Sequence, residues 1–171
     1  MKKETIVVYT DGSSLGNPGP GGWGAIVVSG DGKVMELGGR EDASTNNRME
    51  MTAAIEALKL IEERKIKGKK ILVHTDSAYL SNGITLWIYA WVKNNWKTKG
   101  GDKVLNQDLW ETLFKVESNL KAKYEVEWVK VAGHAGVFLN ERCDVIATSF
   151  SAGEKMLLFT GSEVEHKKLF R

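Results

Sequence analysis

Two short runs in this chain have no polar face. Ile6-Val7-Val8-Tyr9 and Ile71-Leu72-Val73 are apolar and largely β-branched, the pattern of strands covered on both sides. Strands of this kind belong to a sheet with helices packed on it. Each run leads into an acid: Asp11 in Tyr-Thr-Asp-Gly-Ser-Ser-Leu-Gly-Asn-Pro-Gly, and Asp76 in His-Thr-Asp-Ser.

The segments around these runs complete the pattern. A loop over 12–24 rich in glycine gives way to a second strand, Trp23 to Val28. Ser29-Gly30-Asp31-Gly32 reads as a hairpin turn into a third strand over 33–39. From Asn47 to Lys65 the apolar period becomes helical, with Ser44, Thr45 and Asn46 as candidate caps. Strand, helix, strand implies a right-handed parallel crossover to Ile71–Val73. A helix is expected over 78–95, and another to Leu120 that Asp108 or Asn106 would cap. A strand over 124–131 follows, then a helix capped by Asn140 that carries Asp144. The expected fold is α/β: a five-stranded mixed sheet, three antiparallel strands and then parallel ones, flanked by helices. Residues 1–153 form one domain, and 154–171 a tail, partly packed, with a frayed end over 163–171.

The bulk numbers are compatible with many functions. The chain has 171 residues, 42% of them hydrophobic, and a net charge of +2. Charge this small neither demands nor excludes a nucleic-acid partner, so its distribution decides. The lone Cys143 excludes an intrachain disulfide and leaves no thiol partners for a zinc site. No apolar stretch approaches the roughly 20 residues of a membrane span, and the start has no signal-peptide pattern. The expectation is a soluble, cytoplasmic protein with no membrane partner.

Four acids sit in dense local motifs: Asp11, Glu50 closing Thr-Asn-Asn-Arg-Met-Glu, Asp76, and Asp144 closing Asn-Glu-Arg-Cys-Asp. If the two apolar strands are neighbours, Asp11 and Asp76 share one sheet edge, about 4.8 Å apart, where open α/β sheets place their ligands. Glu50 and Asp144 fall in the first turns of helices facing that edge. Clustered carboxylates repel one another unless a cation neutralises them. The set therefore predicts Mg²⁺ or Mn²⁺, as a pair about 3.5–4 Å apart, suited to phosphodiester hydrolysis.

In this order the motifs resemble the ribonuclease H family, specifically the bacterial type 1 enzymes. The resemblance runs from Thr5 to Ala152 and includes Trp-Val-Lys-Val-Ala-Gly-His-Ala-Gly. It implies endonucleolytic hydrolysis of the RNA strand of RNA–DNA hybrids with two Mg²⁺ ions, leaving 5′-phosphate and 3′-hydroxyl ends. It also implies a monomer. Asp11, Glu50, Asp76 and Asp144 would be metal ligands and catalytic residues. His134 would assist proton transfer or product departure. His74, in a strand, and His166, in the tail, receive no role.

Telling RNA from DNA requires contact with the 2′-hydroxyl. The resemblance puts Asn46, Asn47, Gly12 and Ser14 on the RNA side. Asn17 and Thr45 fall on the DNA side, and Arg48 buttresses the loop. Trp87, Lys93, Trp96 and Lys97 lie in a stretch of interleaved aromatic and basic residues. That stretch resembles the helical basic protrusion of the bacterial enzymes, with Trp87 expected to be a core anchor and Trp96 the contact residue. Val92, Asn94, Gly101, Asp102 and Leu105 are less basic than the family pattern, so fewer phosphate contacts are expected.

Three other readings compete. An isolated integrase or transposase core would share the metal chemistry, but the Asn-Asn-Arg-Met-Glu helix start points away from it. A hybrid-binding module without activity would use the same fold, but no acid is missing here. A phosphohydrolase with Asp11 as nucleophile would place a second acid where Ser13 stands.

Overall fold

The structure, a computed structural model, describes residues 4–132 and 137–171. Its centre is a six-stranded sheet whose strands lie in the order Glu125–Lys130, Lys70–Thr75, Thr5–Ser14, Gly19–Val28, Lys33–Ser44, Thr160–Ser162. β1 (Thr5–Ser14), β2 (Gly19–Val28) and β3 (Lys33–Ser44) form an antiparallel meander. Helix α1 (Asn46–Arg64) crosses over, and β4 (Lys70–Thr75) returns parallel to β1. A helical protrusion follows: α2 (Ala78–Asn82), one π-helical turn (Gly83–Trp87) and α3 (Ile88–Lys93). Then α4 (Gln107–Lys121) leads to β5 (Glu125–Lys130), parallel to β4, and α5 (Phe138–Ser151).

The five expected strands are present and a sixth joins them. β6 (Thr160–Ser162) pairs antiparallel with the outer edge of β3. The tail beyond it is helical: α6 (Glu163–Phe170) starts at a capping box in which Ser162 and Glu165 satisfy each other's backbone N–H groups. The expected frayed end is thereby corrected.

Alternation along β1 divides the core. Ile6 and Val8 point to one face and join Ile71, Val73, Met51, Leu58, Trp110 and Leu113 under α1 and α4. Val7 and Tyr9 point to the other, where Ile26, Val34, Cys143 and Ile146 pack under α5. The expectation of two strands covered on both faces is met only in part: Ile6, Val8, Ile71 and Val73 are fully buried, while Val7, Tyr9, Leu72 and His74 on the opposite face are half-buried.

Candidate active site

Register brings the two aspartates together. Across the parallel pair Tyr9 lies opposite His74, so Asp11 and Asp76, each two residues further on, leave the ladder side by side. β1 is longer than expected, because β2 continues to pair with it as far as Ser14. Asp11 therefore lies within β1, just beyond the end of its pairing with β4. Around Asp76, neighbouring side chains serve the backbone: Thr75 Oγ1 accepts from the Ser77 amide, and Ser77 caps α2 by accepting from the Leu80 amide. The Asp76 carboxylate is left for other work.

Glu50 arrives from the first turns of α1. Thr45, one of the three candidate caps, begins that helix by accepting from the Arg48 amide at 3.2 Å. Gly12 explains how close the helix comes. A Cβ there would collide with the backbone of Met49 and Glu50, so only glycine allows β1 to touch the start of α1. Gly12 is buried by this approach, a role the sequence reading, which turned the residue toward the sugar, did not give it.

Carboxylate oxygens of Asp11, Glu50 and Asp76 lie within 4.8 Å of one another. Asp11 is 7% exposed and Glu50 4%. Burial, with the charges of Asp76 and Asp144, pushes the Asp11 pKa up to about 7, although the Gly12 amide donates to it at 2.8 Å. Burial and then the Asp11 charge drive Glu50 well above the ordinary carboxylate range. Glu50 Oε2 is buried with no hydrogen-bond partner. An orphaned, desolvated carboxylate oxygen facing two more carboxylates is satisfied by a hard cation. The donor set, oxygen only, fits Mg²⁺, Mn²⁺ or Ca²⁺ better than softer metals.

Asp144 stands outside this trio but near enough to raise the Asp11 pKa. It lies in the second turn of α5, because the helix starts earlier than expected. Asn140 is inside the first turn, not at the cap, and its buried Oδ1 has no partner. Phe138 and Leu139 begin the helix because they pack against the tail and the sheet. His134 lies outside the described residues.

At the start of α1, the helix that carries Glu50, is a recess of about 330 Å³, lined by Asn17, Thr45, Asn46, Asn47, Leu105 and Asn106. The three asparagines expected to touch substrate thus share one surface: Asn17 of the β1–β2 loop and Asn46 and Asn47 at the start of α1, all exposed. Ser14 is half-buried and turned back on its own loop, donating to the Gly16 carbonyl. Asn106 was legible only as a helix cap. It sits at that position in the left-handed region, makes no capping bond, and donates to the Tyr79 hydroxyl at 3.1 Å. Arg48 forks onto Asp108 at 3.0 and 2.8 Å and donates to Asn106 at 3.3 Å. This pairing holds the Asp108 carboxyl below its usual pKa range and ties the start of α1 to that of α4.

The protrusion is anchored by aromatic packing, with Trp91 5.5 Å from Trp110 and 5.9 Å from Trp87 between ring centroids. Trp87 is 39% exposed, while Trp96 packs partly against the main core. The more accessible indole is therefore Trp87, the reverse of the sequence expectation. Lys93 and Lys97 are exposed.

A mixed sheet whose central strands bring Asp11 and Asp76 beside a crossover-helix glutamate is the arrangement of the ribonuclease H-like class of nucleases. A family model described as RNase H matches residues 3–152. The chain is 49% identical over 153 residues to the Ribonuclease H of Thermosynechococcus vestitus, covering 90% of this chain and 92% of that relative. The chain belongs to the ribonuclease H family. Among solved structures, LC9-RNase H1, a type 1 RNase H with the type 2 active-site motif, superposes with a TM-score of 0.78 at 30% identity, covering 100% of this chain and 83% of that one. LC11-RNase H1 in complex with RNA/DNA hybrid has the same fold, with a TM-score of 0.61 at 22% identity over 86% of this chain and 97% of that one.

Proposed function

We infer that this protein is an endoribonuclease that hydrolyses the RNA strand of RNA–DNA hybrids, leaving 5′-phosphate and 3′-hydroxyl ends. The observation that carries this reading is the trio of buried Asp11, buried Glu50 and half-buried Asp76, with its unpartnered Glu50 oxygen, in a chain of the ribonuclease H family. These carboxylates, with Asp144, would hold two Mg²⁺ ions, for which Mn²⁺ can substitute. Such ions supply activation of water and stabilisation of the leaving 3′-oxygen. Water, not a side chain, is the nucleophile.

The chain's own residues orient the substrate. Asn46 and Asn47 present amides able to donate to and accept from a ribose 2′-hydroxyl. Asn17, Thr45 and Asn106 line the adjoining recess, which receives the DNA strand. Trp87, Lys93, Trp96 and Lys97 extend the contact along the protrusion. Gly12 and Ser14 shape the Asp11 loop on the RNA side. His134 moves a proton or helps the product leave. Residues 1–153 form the catalytic unit, with 154–171 appended, and the protein works as a cytoplasmic monomer.

The test is a labelled RNA–DNA hybrid incubated with and without Mg²⁺, beside single-stranded RNA, duplex RNA and duplex DNA. Metal-dependent cutting of RNA only within the hybrid is expected. Binding of the hybrid without cutting, or cutting of free RNA or DNA, would overturn the assignment.

A further inference from the structure

The tail received no role from sequence, yet it holds one of the most completely satisfied buried charges in the molecule. Glu36, in β3, has no exposed side-chain surface. Arg142 of α5 forks onto it, Nε to Oε1 at 2.7 Å and Nη2 to Oε2 at 3.1 Å. The Phe159 amide donates to Oε2 at 3.1 Å, and His166 Nε2 donates to Oε1 at 2.8 Å. Burial opposes ionisation, but the Arg142 and His166 bonds win and hold the Glu36 carboxyl below its usual range. A buried carboxylate with four donors is a fixed point.

Tail aromatics enclose this point. His166 is 1% exposed and packs against Phe138, Phe159 and Phe170 at 5.7, 5.1 and 4.9 Å between centroids. The Arg142 guanidinium lies 3.8 Å from the centre of the Phe170 ring. α6 therefore meets α5 twice, at the first residue of α5 through His166 and at Arg142 through Phe170. Two residues beyond Arg142 is Asp144, the one acid held by a helix outside the trio.

We propose that the C-terminal helix is a positioning element of the active site: His166, Glu36 and Arg142 fix the turn of α5 that presents Asp144 to the metal-binding acids. The proposal rests on the metal-dependent reading above. A ligand displaced by about 1 Å loses much of its effect on a reacting centre. Loss of these contacts should therefore appear as weaker metal binding and not as weaker substrate binding.

The experiment compares the parent protein with His166→Ala, His166→Gln and Phe170→Ala. Each is measured by calorimetric titration with Mn²⁺, by the Mg²⁺ half-saturation of hybrid cleavage, by KM and kcat, and by thermal melting. His166→Ala should weaken Mn²⁺ binding and raise the Mg²⁺ half-saturation threefold or more, with KM for the hybrid within twofold. His166→Gln, whose amide nitrogen can reach the place of Nε2, should recover most of the loss. Unchanged metal binding in folded His166→Ala, or a Gln variant as impaired as Ala, would overturn the proposal. If His166→Ala does not fold, Phe170→Ala decides: it removes the ring over Arg142 while leaving Glu36 paired, and unchanged metal binding there overturns the proposal as well. The Mn²⁺ titration needs no substrate. A parent that cuts no hybrid but whose metal binding responds to these substitutions would sink the proposed activity alone.

Discussion

At the scale of residues, the site is an electrostatic debt held in place by packing. Asp11 and Glu50 have folded-state pKa values raised above those of the unfolded chain. For a carboxylate this means stability that is full below about pH 4 and lost as the pH rises through the folded pKa, about 7 for Asp11. Asp11→Asn should therefore stabilise the metal-free protein at pH 8 by roughly 2–4 kcal/mol and do little at pH 4. Denaturant unfolding with chelator at the two pH values checks this; an equal effect at both would refute the cause. The same shift makes metal compete with protons, so Mg²⁺ affinity should climb between pH 6 and pH 8. Among site residues, the four acids were legible because each sits in a compact local motif. The convergence of Asn106 with Asn17, Asn46 and Asn47 was not, since it depends on the left-handed turn before α4.

At the scale of elements, the decisive contact is between β1 and α1. Gly12→Ala must push the helix start away from the strand, because the obstructing atoms are backbone. The expected result is a loss of about 1–3 kcal/mol of stability and at least a tenfold fall in kcat, read by urea unfolding and hybrid cleavage. Wild-type activity in this variant would mean that the Glu50 position is not critical. The elements readable from sequence were those with a strong period: β1 and β4 as unbroken apolar runs, α1 by its stripe of Met51, Ile55 and Leu58. β6 is Thr-Gly-Ser, which carries no hydrophobic signal and exists only because the β3 edge offers it partners. α6 and His166 depend on Glu36, 130 positions earlier in the chain. The π-helical turn keeps a helix-compatible spacing and so leaves no mark in the sequence. Asn140 is a good cap in isolation, but Phe138 and Leu139 gain more by packing as the first helical residues.

At the scale of the whole molecule, one sheet edge carries the acids and a separate helical arm carries Lys93, Lys97, Lys99 and Lys103. The net charge is only +2, and Val92, Asn94, Gly101, Asp102 and Leu105 of the protrusion offer no positive charge to a phosphate. Each missing phosphate contact lowers the slope of log affinity against log salt by about one unit. A titration of hybrid binding from low to moderate salt should give a shallower slope than that of a strongly basic relative, and an equally steep slope would contradict the argument. Trp87 is the exposed indole of the arm, so Trp87→Ala should weaken hybrid binding more than its small structural cost predicts.

The measurement that bears most directly on the whole account is strand-resolved cleavage of one RNA–DNA hybrid by the parent protein and by Asp11→Asn at saturating Mg²⁺. The account predicts cuts in the RNA strand alone, ending in 5′-phosphates, and a loss of at least 10³-fold in the variant while it stays folded. Retention of cleavage within tenfold in Asp11→Asn, or cuts in the DNA strand, would show that the carboxylate trio is not the centre of the reaction.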